Sequence, residues 1–260
     1  MDHQQQLLNR LGNLHQLPRP VLGREMSLPN VAIAVPHRHP WAQLSYAISG
    51  VVQVETHGGH FVAPPNRAVL IPPGIEHGVT CPPGTRIRSL YITAGMLSRQ
   101  HCQVLEIDAL LKELIVAFSR LPEAYDQEGA DGRLVAVLLD RLSQARPCEL
   151  MLPWPEDPRL QRLCRYLAAN PDCRRPLAEL GRPLGVSDKT LSRAFNRHTG
   201  MSFRQWRQRS RLLAALPLLE RGDRVTDVAL ACGYDSLSAF IAAFRALLGS
   251  TPGDYLHRRA

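Results

Sequence analysis

No two of the six cysteines in this 260-residue chain lie close together: they stand at Cys81, Cys102, Cys148, Cys164, Cys173 and Cys232. That spacing excludes a CxxC redox pair, a zinc ribbon and a disulfide framework. Reduced, buried thiols in a cytoplasmic protein are the expectation. No apolar run approaches the roughly 18 residues of a membrane span. The opening MDHQQQLLNRLGNLHQ lacks the apolar segment of a signal peptide, so neither export nor a membrane partner is expected. Net charge is missing from the first part of the chain, where residues 1–154 carry 13 Lys and Arg against 13 Asp and Glu.

The charge is instead concentrated at the other end. Residues 155–260 hold 18 basic against 10 acidic side chains, which accounts for the whole excess of +8. A neutral domain joined to a basic one is the pattern of a polyanion-binding protein, and the length allows two domains.

Between residues 30 and 94, short β-rich runs alternate with Pro, Gly, His and Asn: VAIAV (31–35), QLSYAISG (43–50), VVQVETHG (51–58), RAVLIPPG (67–74) and RIRSLYIT (86–93). Such spacing predicts a sandwich or small barrel. From Cys102 the period becomes helical. Residues 104–121 present Leu110, Leu111, Leu114 and Phe118, and residues 133–145 present Leu134, Val137, Leu138 and Leu142. These two helices cap the sheet domain or pair two copies of it. Four prolines in residues 146–158 mark a linker.

The remaining chain reads as helical and repeats itself at an offset of 49 residues. Ser187, Leu191, Phe195, Gly200, Ser202 and Trp206 recur as Ser236, Phe240, Phe244, Gly249, Thr251 and Tyr255. In the first copy Leu177, Leu180 and Leu184 line a short helix, Gly185 turns the chain, and Ser187 caps a second helix. That second helix turns Asp188, Lys189, Ser192, Arg193, Asn196 and Arg197 outward. In the second copy a helix begins at Thr226 or Asp227 and buries Val228, Leu230 and Cys232. Gly233 then turns the chain and Ser236 caps the next helix. Two helices joined by a tight turn, the second polar at its start, make a helix-turn-helix suited to the major groove. A longer helix over 202–222 lies between the copies. Its Arg204, Arg207, Arg209 and Arg211 are expected to meet phosphates, at least in part.

The segments SDKTLSRAFNRHTGMSFRQW, RLLAAL, VTDVALACGYDSLSAF and FRALLGSTPGDY resemble the DNA-binding domain of AraC-type transcription regulators over residues 158–257. The resemblance implies two recognition helices meeting successive major-groove segments roughly 34 Å apart. By motif position it makes Lys189, Ser192 and Arg193, with Asn196 and Arg197, the base- and backbone-contacting set of the first unit. In the second unit Leu237, Ser238, Ile241 and Ala242 occupy positions where relatives often carry polar or basic residues. Readout there is expected from Ser238 and from Ile241 against a thymine methyl, with Arg245 on phosphate. Pro183 and Pro217 fall in helices that the family keeps continuous, and each is expected to kink or shorten its helix.

In the neutral part, His37, His39, Gln43 and Gly50 follow H-x-H-x3-E-x6-G with Gln for Glu, and Pro72 to His77 fits P-x-G-x2-H. These resemble the two signature motifs of the cupin barrel over about residues 30–95. The resemblance implies convergence of His37, His39, Gln43 and His77. Three readings stay open for that set: a divalent metal such as Zn, Ni, Fe or Mn, a small organic effector, or a structural role.

The expected architecture is α+β multidomain. It has an arm (1–29), a cupin-like sensor barrel (30–100), a helical pair that could dimerise (101–146), a linker (147–157) and an all-α double helix-turn-helix domain (158–260). The expected function is sequence-specific binding of double-stranded DNA by a regulator, an activator or a repressor, whose barrel senses a small molecule or metal ion. It would act as a homodimer with RNA polymerase as a further partner, and with no enzymatic activity. The alternative from another class is a metal-dependent cupin enzyme with an accessory DNA-binding tail. Gln43 in the carboxylate's place and the lack of an acid–base pair other than Glu76 weigh against it.

Overall fold

The structure, a computed structural model, describes residues 16–23 and 33–257. Most of the expected arm, the first two residues of the VAIAV run and the Leu184 side chain lie outside the described residues. The chain divides into two compact units, Met1–His57 with Phe61–Leu150, and Gly58–His60 with Met151–Ala260.

The first unit is built from β1 (Val21–Leu22), β2 (Ala42–Ser49), β3 (Val52–Thr56), β4 (Gly59–Ala63), β5 (Arg67–Ile71), β6 (His77–Thr80), β7 (Arg86–Ile92), β8 (Gln103–Glu106), β9 (Pro147–Cys148), α1 (Ala109–Phe118) and α2 (Ala130–Gln144). One sheet has the order β1-β7-β2-β5-β8-β9, and a second runs β4-β3-β6. Val21–Leu22, inside the stretch read as an arm, is an edge strand paired with Tyr91 and Ile92.

Successive strand residues point to opposite faces, and β2 uses both of its faces. Ala42, Leu44 and Tyr46 join Leu70, Leu90, Ile92 and Leu105 with Leu111, Ile115, Leu138 and Leu142 of the two helices in one core. Burying each such aliphatic side chain contributes roughly 1.5–3 kcal/mol. The opposite face of β2 carries Gln43 and Ser45 inward, beside Ser89 and Tyr91 of β7 in the paired register. Because both faces are buried, the burial of β2 does not alternate, although Gln43 and Ser45 alternate with Ala42, Leu44 and Tyr46 in its sequence.

Two expectations for this unit are corrected, and a third reading is refined. Residues 104–106, read as the start of a helix, form β8, paired with Arg67–Leu70 of β5. The helix waits for Asp108, whose side chain accepts the Leu111 N–H at its N-terminus. The two helices are read as either capping the sheet domain or pairing two copies of it: of their apolar positions, Leu110 and Val137 are 54% and 45% exposed, while Leu111, Phe118, Leu138 and Leu142, with Ile115 and Val135, are buried. In the VAIAV run, residues 33–35 are not strand. The Ile33 carbonyl nevertheless accepts the Val79 N–H.

The second unit contains β10 (Met151–Pro153), α3 (Pro158–Ala169), α4 (Leu177–Gly181) with a 3-10 turn over Arg182–Leu184, α5 (Asp188–Thr199), α6 (Phe203–Arg221), α7 (Val225–Ala231), α8 (Leu237–Leu248) and α9 (Pro252–His257). The 49-residue repeat is a repeat of helix boundaries. Ser187 caps α5 through the Thr190 N–H, and Ser236 caps α8 through the Ala239 N–H. Gly200 and Gly249 end these helices in left-handed geometry at φ 69° and 74°. Ser202 opens α6 in a capping box with Gln205, and the Thr251 hydroxyl accepts the Asp254 N–H. The packing repeats as well. Phe195 meets Trp206 edge-on at 5.5 Å, and Phe244 meets Tyr255 edge-on at 5.7 Å.

Pro217 does not interrupt its helix: α6 runs unbroken from Phe203 to Arg221. Pro183 does mark the change from α4 to a 3-10 turn. Leu230, expected in the core, is 62% exposed, while Val228, Ala229 and Cys232 are buried. With seven residues, α7 turns a single narrow face to its neighbours, and Leu230 lies off it.

Candidate DNA interface and barrel site

The capped start of α5 fixes which side chains can reach outward. Leu191 and Phe195, four residues apart, are buried, so the helix is pinned on that face. Lys189, Ser192, Arg193, Asn196 and Arg197 are all exposed on the rest of its surface. On α8 the pins are Phe240, Ala243 and Phe244. Its outward face is much less polar. Ser238, Ile241, Ala242, Arg245 and Ala246, with Thr251, line an open shallow concavity in which Ile241 is half-buried. The two units therefore share boundaries and packing but differ in the chemistry they offer.

The arginines of α6 differ in what they touch, which narrows the expectation that some of them meet phosphates. Arg204 is exposed. Arg207 donates to the carbonyls of Arg175, at 2.8 Å, and Cys173. Arg211 donates to the carbonyls of Pro171, at 2.9 Å, and Cys173, at 3.1 Å, and its guanidinium lies 6.0 Å from the Tyr234 ring centre. Partial burial and the nearby Arg211 charge lower the Arg207 pKa. Both side chains tie the loop after α3 to α6. Gly233 sits against the same loop: at φ 74°, a β-carbon there would come within 2.9 Å of the Pro171 carbonyl and the Arg211 guanidinium.

In the first unit, His37, His39 and His77 do converge. Their candidate ligand atoms lie within 4.8 Å of one another. His77 is on β6, and His37 pairs with it in a bridge closed by two backbone hydrogen bonds of 2.9 Å. This close approach requires Gly78, where a β-carbon would fall 2.5 Å from the Ala34 carbonyl. His39 stacks on Trp41 at 5.1 Å and meets the Tyr91 ring edge-on. Gln43 reaches the group from β2. Its Oε1 lies 2.9 Å from His39 Nε2 and 3.4 Å from His77 Nε2, and its Nε2 donates to Ser45 Oγ at 2.9 Å.

Burial lowers the pKa of all three histidines, that of His77 to about 3. Neutral imidazoles result. Each Nδ1 contacts a backbone carbonyl: His37 to Val35 at 2.9 Å, His39 to Trp41 at 2.8 Å and His77 to Ile75 at 2.8 Å. Carbonyl and amide oxygens can only accept, so the His37 proton sits on Nδ1, whereas His39 and His77 face an acceptor at each nitrogen and a neutral ring donates to only one of them. Three nitrogen donors and one amide oxygen fit a divalent transition metal. Glu76 is exposed on the rim, and the cluster holds no carboxylate. The sequence motifs found the four residues but missed Trp41, Ser45, Ser89 and Tyr91, which pack or line the site.

Residues 180–258 match the helix-turn-helix domain family, and residues 21–139 match the AraC-like ligand binding domain family. The HTH-type transcriptional regulator NimR of Escherichia coli (strain K12) is 34% identical over 223 residues, covering 85% of this chain and 82% of NimR. The HTH-type transcriptional regulator RipA of Corynebacterium diphtheriae is 30% identical over 148 residues, 57% of this chain and 42% of RipA. A crystal structure of a DNA-binding transcriptional dual regulator from Escherichia coli K-12 aligns with 38% of this chain and 89% of its own, at 31% identity and a TM-score of 0.36. Among the described residues no helix is long and apolar enough to cross a membrane.

Proposed function

The chain belongs to the AraC family of transcription regulators, and we propose that it reads its operator unequally with two helices under control of the histidine site in its ligand-binding domain. The observation that carries this reading is the repeated, capped pair of helices with contrasting outward faces. Helix α5 reads base edges with Lys189, Ser192 and Arg193 and grips the backbone with Asn196 and Arg197. Helix α8 contributes Ser238, Ile241 and Arg245, through one hydroxyl, apolar contact with a thymine methyl and one phosphate contact.

The site formed by His37, His39, Gln43 and His77 receives the effector, a small molecule or a metal ion. Its occupancy shifts operator affinity through the difference in affinity between the free and DNA-bound forms. The exposed Leu110 and Val137 support a second copy of the chain as the partner of α1 and α2. Regulation in the cytoplasm alongside RNA polymerase completes this reading. The enzyme alternative loses support from the missing carboxylate in the cluster.

Footprinting on the intergenic DNA beside the protein's own gene tests the proposal. A protected site competed poorly by unrelated duplex is the expected result, with binding that weakens steeply as salt rises. Equal competition by random DNA would overturn it.

A further inference from the structure

The outward face of α8 differs from that of α5 in kind. Helix α5 exposes Asp188, Lys189, Ser192, Arg193, Asn196 and Arg197, so amide, hydroxyl and charged groups can meet base edges. With Phe240, Ala243 and Phe244 buried, α8 turns Ser238, Ile241, Ala242, Arg245 and Ala246 the other way. These residues recur at helical spacing and form one stripe. Ser238 and Arg245 stand seven residues apart, roughly 10 Å along the axis, with the apolar Ile241 and Ala242 between them. That length spans about three base pairs at roughly 3.4 Å per step.

On the base edges of the major groove the one apolar feature is the C5 methyl of a pyrimidine. Ile241, Ala242 and Ala246 can therefore gain from a methyl and from no other group there. Thymine carries that methyl, and 5-methylcytosine carries the same group on the same ring atom. The two bases differ at C4, where thymine has an oxygen acceptor and cytosine an amino donor.

Ser238 does not resolve that difference. Its hydroxyl lies 3.2 Å from the Ser236 hydroxyl, and either can donate to the other. Ser236 accepts the Ala239 N–H at the helix cap and keeps a second lone pair and its own proton. Facing thymine O4, Ser238 donates to the base and accepts from Ser236. Facing the cytosine amino group, it accepts from the base and donates to Ser236. Both arrangements leave the cap intact.

We propose that α8 reads the C5 methyl of pyrimidines without regard to the C4 group, so that cytosine methylation in its half of the operator strengthens binding. This inference rests on the reading above that α8 lies in the major groove. Helix α8 is the second helix of the repeated unit, inside the helix-turn-helix match over residues 180–258, and Arg245 borders the stripe with a charge suited to a flanking phosphate. Duplex DNA, rather than a second protein chain, is therefore its occupant.

The test uses the full chain and its footprinted operator, with thymine, deoxyuridine, cytosine or 5-methylcytosine at each pyrimidine position under α8. The four bases vary the C5 and C4 groups independently. Every change is in the DNA, so folding of the protein is not in play. Thymine and 5-methylcytosine should bind alike, about three- to fourfold more tightly than deoxyuridine and cytosine for each methyl covered. Ile241→Ala should bring that ratio toward one. Affinity that groups thymine with deoxyuridine, that is equal for all four bases, or whose methyl preference survives Ile241→Ala would overturn the inference.

Dimethyl sulfate probing of guanine N7 in the same half separates this failure from failure of the underlying reading. Protection without a methyl preference would overturn methyl reading and leave α8 in the groove. No protection would overturn both, and weaker self-association of Ile241→Ala would then give the stripe to a second copy of the chain.

Discussion

Replacing Arg211 by Ala should destabilise the DNA-binding unit and leave the electrostatics of DNA binding nearly intact. The guanidinium donates to the carbonyls of Pro171 and Cys173 and lies against Tyr234. Hydrogen bonds to a charged group each contribute about 1.5–3 kcal/mol, and removal also leaves part-buried carbonyls without that partner. Allowing for partial exposure and for water reaching the vacated carbonyls, a net loss of about 2–4 kcal/mol is expected. The same logic gives Arg207→Ala a loss of about 1–3 kcal/mol, from its bonds to Arg175 and Cys173. Arg204 is exposed, and its removal should cost less than about 0.5 kcal/mol of stability.

Two assays on the same variants separate clamp from phosphate contact. Urea unfolding of the full chain reads stability, and the dependence of DNA affinity on salt reads phosphate contacts, at a slope of about 0.9 per contact. Arg211→Ala should lower stability with an unchanged slope, and Arg204→Ala should do the reverse. A slope reduced by about one in Arg211→Ala, with stability within about 0.5 kcal/mol of the parent, would refute the division of α6 into clamp and contact.

Acid should weaken the metal-free protein. The folded pKa of His77 is lowered to about 3 and that of His60 to about 4, both through burial. A histidine with a depressed folded pKa contributes stability above the unfolded value near 6.5, and that contribution fades as pH falls toward the folded value. Unfolding free energy should thus be flat above about pH 7 and drop by up to about 1.4 kcal/mol per pH unit per group between about 6 and 4; a rise in stability over that window would count against the burial of these rings. Gly78→Ala should cost about 1–3 kcal/mol or more, since its β-carbon meets the Ala34 carbonyl at 2.5 Å, and thermal melting checks it. The caps should be equivalent: Ser187→Ala and Ser236→Ala should each lose about 1 kcal/mol, and a loss in one alone would contradict the repeat of boundaries.

The features readable in the sequence are those fixed by local chemistry. Ser187, Gly200 and Ser202, with their counterparts 49 residues on, work within one helical turn, so the helix-turn-helix units could be read from spacing alone. The histidine cluster was readable for another reason, because both of its segments, His37 to Gln43 and Pro72 to His77, carry motifs that resemble those of the cupin barrel. Long-range features were not. Gln43 and Ser45 alternate with Leu44 and Tyr46 on β2, a pattern that ordinarily marks a solvent-facing side, and nothing local shows that this polar face is buried too. Residues 103–106 lie beside a helix, and their β identity depends on pairing with β5, more than 30 residues earlier in the chain. Arg207 and Arg211 look like any basic helix face, since their acceptors are carbonyls 32 to 40 residues away that carry no side-chain signature.

The unequal division of labour between the two helices is tested most directly by scanning the footprinted operator one base pair at a time against the parent chain, Lys189→Ala and Arg193→Ala. Substitutions under α5 should cost about 1–3 kcal/mol each, while those under α8 should cost clearly less. The penalty at one or two α5 positions should vanish in each variant, with binding to random DNA little changed. Equal penalties in both halves of the operator, or losses in the variants that are the same on specific and random DNA, would contradict the account.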